Sequence, residues 1–143
     1  MEDSVGVILA DVSRLMRRAF NEKARNIGIT RPQWYVLTTL KRNEGINQGG
    51  LAEILDIEPI TLCRILDRLQ QAELVERRRD PADRRVWRLY LLPKAEQLLT
   101  QLRPLGVEVN DLALEGLDES AREQFRSTLK LVRQNLARRT EQS

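Results

Sequence analysis

The sequence predicts a mainly α-helical protein with one small β-hairpin: a winged helix-turn-helix flanked by long terminal helices that form a dimer interface. Three observations predict it. Residues 57–74 (IEPITLCRILDRLQQAEL) carry Leu62, Ile65, Leu66 and Leu69 at the three- and four-residue spacing of one buried helical stripe. A basic ribbon follows, RRRDPADRRVWR, with six arginines against two aspartates between Arg77 and Arg88. Both ends of the chain carry long apolar stripes at helical spacing.

A length of 143 residues gives one domain with chain enough for a core. Seven Gly and five Pro, beside abundant Leu, Ala and Val, favour helix. The net charge is only +3, so the charge distribution, not a global field, points to an acidic partner, nucleic acid first. The chain has no histidine, which removes His-based acid–base catalysis, Ser–His triads and His-ligated metals. Cys63 is the sole cysteine, so neither an internal disulfide nor a cysteine zinc cluster can form. No phosphate loop or nucleophile–base pair is present, and no enzyme, metal or cofactor is expected. No signal-peptide core and no apolar run of about 20 residues is seen, which predicts a cytoplasmic protein without a membrane span.

In order, Val5, Ile8, Val12, Leu15 and Ala19 step by three and four, widened by Leu9, Met16 and Phe20. This is a first helix, ending before Gly28. Arg14, Arg17 and Arg18 lie off its stripe, where solvation is their ordinary fate. Thr30 is a good N-cap for a second helix, with Pro32 close behind and Trp34, Val36, Leu37 and Leu40 following. Residues 43–50 (NEGINQGG) read as a loop. A short third helix points Leu51, Ala52, Ile54 and Leu55 inward, and Asp56-Ile57 turns into the stretch 57–74. There Ile60, Thr61, Arg64 and Arg68 share a face away from the leucines, of a kind that a DNA major groove accepts.

The period then shortens to two. Residues 75–79 and 86–91 are strand-like, the second with Trp87, Leu89 and Leu91 on one face, and 80–83 (DPAD) is a turn. Pro93 opens a long helix whose Ala95, Leu98, Leu102, Leu105, Val109 and Leu112 are heptad-spaced. Pro104 should kink it and Gly116 end it. Asp118 caps a last helix with the stripe Ala121, Phe125, Leu129, Val132 and Leu136. From Arg138 on the tail should fray. One small winged helix cannot cover all these stripes. A second copy of the chain is the expected cover, and a bundle within one chain the alternative. The expected organisation is a single domain over 1–143, with a dimerisation helix in 1–29, a DNA-binding core in 30–92 and dimerisation helices in 93–143.

Leu51-Ala52, the run 61–69 (TLCRILDRL), 74–77 (LVER), 83–85 (DRR) and 93–95 (PKA) stand in the order and spacing of the MarR family of bacterial regulators, which the whole chain resembles. Ile57-Glu58 and Lys94-Ala95-Glu96 look most like its SlyA branch. Three departures stand out. Glu73 replaces the Gly usual after the recognition helix, where a left-handed residue is wanted, at about 1 kcal/mol. Leu92 replaces a capping Thr, and Cys63 a hydroxyl residue.

The resemblance implies a homodimeric transcription regulator, a repressor or an activator, on a near-palindromic operator with half-sites about one helical turn apart. It lays Ile60, Thr61, Cys63, Arg64 and Arg68 against the major groove, with Glu58 capping or orienting an arginine. In the wing, Arg84 or Arg85 would enter the minor groove, with Asp83 holding Arg85 by a bidentate bond, and Arg77, Arg78 and Arg79 would serve phosphates. It also implies release by a small aromatic or phenolic acid at a pocket with Arg14 and Trp34. Cys63 has no second Cys or His to activate it as a redox switch. The rival reading is a winged-helix protein-interaction module that binds no DNA.

Overall fold

Six helices and one two-stranded hairpin make up the described residues, 3–142 of the computed structural model. The chain divides into two compact units, 1–107 and 108–143.

In the first unit, α1 (Val5–Ala24) opens on Ser4, whose hydroxyl accepts the Val7 N–H. A single 3₁₀ turn, Arg25–Ile27, leads to Gly28 at φ +79°. Thr30 caps α2 (Arg31–Arg42) in a full capping box with Gln33, each side chain accepting the other residue's backbone N–H. Next comes α3 (Gln48–Leu55). It begins inside the stretch that reads as a loop, because Asn47 caps it by accepting the Gly50 N–H at 2.7 Å. A Cβ on Gly50 would meet the Ile46 side chain at 3.2 Å, so this glycine serves close packing within a helical turn. Leu51, Ala52 and Leu55 are buried, but Ile54 is 52% exposed, against the expectation that it faces inward. At roughly 100° per residue, Ile54 falls outside the arc that the other three share.

The stretch 57–74 is shorter as a helix than its periodicity suggests: α4 is Pro59–Gln71. Ala72 and Glu73 turn the chain, Glu73 at φ +61°, so the left-handed residue is retained without glycine. Strands β1 (Val75–Arg79) and β2 (Trp87–Leu91) pair antiparallel, with Val75 opposite Leu91, Arg77 opposite Leu89 and Arg79 opposite Trp87. The loop before α3 joins this hairpin. The Leu89 N–H donates to the Ile46 carbonyl and the Gly45 N–H to the Leu89 carbonyl. Around these elements lies one core: Leu37 and Leu40 of α2, Leu51 of α3, Leu62, Leu66 and Leu69 of α4, and Val75 and Leu89 of the hairpin. Each such leucine contributes about 1.5–3 kcal/mol by leaving water.

α5 (Pro93–Ala113) starts from the backbone of Leu92, whose carbonyl accepts the Ala95 N–H, and runs on past Pro104. The N-terminal part of α1 is not covered: Val5, Ile8, Val12 and Leu15 are all 40% exposed or more, and burial begins only at Phe20.

In the second unit, Gly116 (φ +92°) turns the chain and Asp118 caps α6 (Glu119–Gln142), accepting the Ala121 N–H at 2.8 Å. Arg122 bridges to Asp111 at 3.1 Å. The stripe residues Phe125, Leu129 and Leu136 are exposed. α6 stays helical through Gln142, past Arg138 where the sequence predicted fraying; Ser143 lies outside the described residues. No helix among the described residues is long and apolar enough to cross a membrane.

Candidate nucleic-acid interface

The burial of Leu62, Leu66 and Leu69 fixes the rotation of α4 about its axis. What remains outside is the face predicted from sequence: Ile60, 61% exposed, with Thr61, Arg64 and Arg68 also exposed. Cys63 is half-buried at the edge of this face. Glu58 holds the N-cap position, but its side chain makes no capping hydrogen bond, so the capping role expected for it is absent. The face joins an apolar tip, a hydroxyl and two guanidinium groups on one rigid rod.

Strand alternation sorts the arginines of the hairpin. Arg77 and Arg79 lie on the face of Leu89 and Trp87; Arg78 and Arg88 lie on the other. Arg77, expected to serve a phosphate, turns inward in the free chain. Its side chain is only 14% exposed and turns onto α4. There it donates to Asp67 Oδ1 (2.8 Å), Gln70 Oε1 (2.9 Å) and the Cys63 carbonyl (3.2 Å). Arg79 lies over the Trp87 ring, 4.5 Å from its centre, and donates to the Arg84 carbonyl at 2.7 Å. Trp87 therefore shares a face with Leu89 and Leu91 yet is roofed by a cation, not by the core. Arg78 pairs with Glu76 and covers the Tyr90 ring at 4.1 Å, and the hydrogen bond it donates to Glu76 lowers the Glu76 pKa and raises that of Arg78.

The turn between the strands is held by two aspartates. Asp80 is buried and accepts the Ala82 N–H and the Arg88 guanidinium, each at 2.7 Å. These bonds, the Ala82 N–H foremost, hold its carboxyl below the usual range. Arg88 also donates to the Gly45 carbonyl, anchoring the wing to the loop before α3. Asp83 grips Arg85 with both oxygens, at 3.1 and 3.3 Å, and accepts its backbone N–H as well. The Arg85 side chain is the main cause of the lowered Asp83 pKa. The strands stop before this pair, so the grip comes from a tight turn and not from a shared strand face. Arg85 is 91% exposed in its side chain, and Arg84 is exposed beside it. A paired guanidinium thus sits at the tip of the hairpin.

Arg14 and Trp34, expected in one pocket, line two hollows. Trp34 stacks on Phe20, ring centres 4.2 Å apart, and lines a cleft of about 510 Å³ with Arg17, Arg31, Pro32, Tyr35 and Leu55. Arg14 lies one helical turn before Arg17, bonds to Asp11, and borders a neighbouring hollow with Arg18, Asn21, Glu22, Arg25 and Arg31. Burial, and then the charge of Arg17, lowers the Arg31 pKa. Two cations beside aromatic rings suit an aromatic anion. Sequence reasoning left Arg17 to solvent and did not single out Arg31, Asp80 or Arg88. Among the described residues no three His, Cys, Asp or Glu side chains group to hold a metal ion.

Comparison with known proteins agrees with this geometry. The model of the MarR family matches residues 29–87. The uncharacterized HTH-type transcriptional regulator YsmB of Bacillus subtilis (strain 168) is 35% identical over 102 residues, 71% of this chain and 67% of that protein. The crystal structure of a MarR transcriptional regulator from Methanosarcina mazei Go1 superimposes with a TM-score of 0.86 at 26% identity, covering 94% of this chain and 96% of that one. A mutant MarR from E. coli, crystallised with operator DNA, superimposes with a TM-score of 0.77 at 26% identity, covering 90% and 92%.

Proposed function

This chain belongs to the MarR family of transcriptional regulators, and on that premise we propose that it binds double-stranded DNA sequence-specifically, as a homodimer on a near-palindromic operator. The observation that carries the reading is the joint exposure of Ile60, Thr61, Arg64 and Arg68 on α4 beside a hairpin tipped by Arg84 and Arg85. The rod enters the major groove. There Arg64 and Arg68 reach guanine or phosphate, Ile60 meets a thymine methyl, and Thr61 bonds a base edge or phosphate. Cys63 borders these contacts. Arg85, pre-set by Asp83, enters the minor groove, where narrow A·T tracts concentrate negative potential, with Arg84 at its rim. Arg78 and Arg79 face phosphates.

A second copy covers the apolar faces that α1 and α6 leave in water. Two-fold symmetry then sets the half-sites about one helical turn apart. The cleft with Trp34, Arg17 and Arg31 takes a small aromatic acid, its carboxylate on the guanidinium groups and its ring on the indole; binding there releases the operator. Such a regulator works in the cytoplasm.

Selection of bound sequences from random duplex DNA tests the reading. The expected result is a near-palindrome, bound with an affinity that falls steeply with salt. Recovery of no enriched sequence would leave a winged helix serving protein contacts.

A further inference from the structure

We infer that Arg77 is a positioning residue that locks the wing to the recognition helix, so that Arg85 reaches the minor groove only while Arg77 is seated on α4; this rests on the DNA-binding reading above. Arg77 projects from the middle of β1 and its guanidinium spans positions 63, 67 and 70 of α4, about two helical turns. The planar fork of arginine can serve three acceptors in fixed directions; a lysine ammonium cannot reproduce that geometry. Leu89 and Val75 also pin the hairpin through the core, and β2 is bonded to the loop before α3 through Leu89 and Arg88. Those bonds hold β2 from the side of α3, whereas the Arg77 fork holds β1 to the body of α4 itself.

At the far end, the tip residues Asp83 and Arg85 bond to each other and not to α4. The hairpin reaches beyond the core, where Trp87 is covered only in part, by Arg79. A lever of this kind transmits any looseness at its base to its tip. Asp67, whose side chain is 58% exposed, belongs to the same device, although it places a negative charge on a helix that faces phosphate. An acidic residue there works against DNA binding by simple Coulomb repulsion. Its bond to Arg77 gives it a reason to be there.

The test is a double-mutant cycle on full-length protein, using a duplex recovered by the selection above and affinities read by fluorescence anisotropy. In the wild-type background Arg85→Ala is expected to weaken binding about tenfold, as loss of one charge-assisted hydrogen bond does. In an Arg77→Met background the same Arg85→Ala change is expected to cost less than about twofold, because the tip is already misplaced. Arg77→Lys should behave as Arg77→Met does, and Asp67→Asn should weaken binding although it removes a negative charge. Circular dichroism confirms that each variant is folded. If Arg77 instead serves a phosphate, Arg77→Lys restores affinity, the two losses add, and Arg77→Met makes the slope of log affinity against log salt shallower by about 0.9. That pattern overturns the inference and leaves DNA binding intact. Failure of the wild-type protein to bind any selected duplex overturns the DNA-binding reading itself.

Discussion

Leu15→Ala tests the pairing of two copies through α1. Leu15 sits in the middle of the uncovered stripe and keeps 50% of its surface in water in the single chain. Full burial of a leucine contributes about 1.5–3 kcal/mol, so covering the remaining half contributes roughly 1 kcal/mol per copy. A two-fold interface feels every substitution twice, which makes roughly 2 kcal/mol per dimer. At about 1.4 kcal/mol per decade, the dimer dissociation constant should rise about 30-fold. Leu15→Glu should separate the copies further, since it asks two carboxylates to leave water in an apolar seam. Sedimentation equilibrium across a concentration series reads both constants, and circular dichroism checks that helix content survives. An unchanged dissociation constant in both variants would refute the role of α1, as would a wild-type protein that sediments as a monomer throughout.

Three further outcomes are expected. Glu73→Gly should raise stability by about 1 kcal/mol, and the melting temperature by about 3 °C, because glycine takes the left-handed conformation that glutamate strains to adopt; a lower melting temperature would contradict this. Asp80 and Asp83 both have folded-state pKa values below the ordinary carboxyl value, so the stability they contribute is present above about pH 4 and is lost as pH falls through their folded values. Trp87 emission in a Trp34→Phe protein should be flat from neutral pH down to about pH 4 and change below it, whereas a transition above about pH 5 would tie the wing to other groups. Benzoate, as probe, should weaken DNA binding by the wild-type protein and have little effect on Arg17→Ala; equal sensitivity of the two would place the anion elsewhere.

The sequence carried the helices because their signals are local. Thr30 sits three residues before Gln33, and the α4 leucines repeat at helical spacing; both patterns survive intact in the fold. The Asp83–Arg85 grip was legible for the same reason, being a pair two residues apart. The role of Arg77 was not, although period-2 alternation in 77–79 already divides the three arginines between faces. Their shared charge hid that division. Asp80 and Arg88 stand eight residues apart across a turn, and only the strand register brings them together. Arg14 was named for the pocket by resemblance alone; that Arg17 lines the cleft with Trp34 while Arg14 lines its neighbour depends on where α1 meets the start of α2. Ile54 looked inward by composition alone, but an eight-residue helix buries only one narrow arc.

The most direct measurement is a hydroxyl-radical footprint of the wild-type protein on its selected duplex. Two copies, each reading with α4 and the hairpin tip, predict minor-groove protections related by a two-fold axis, flanking two major-groove contacts about one helical turn apart. Arg85→Ala should erase the minor-groove protections alone. A single unsymmetrical protected patch, or protection that ignores Arg85, would contradict the account.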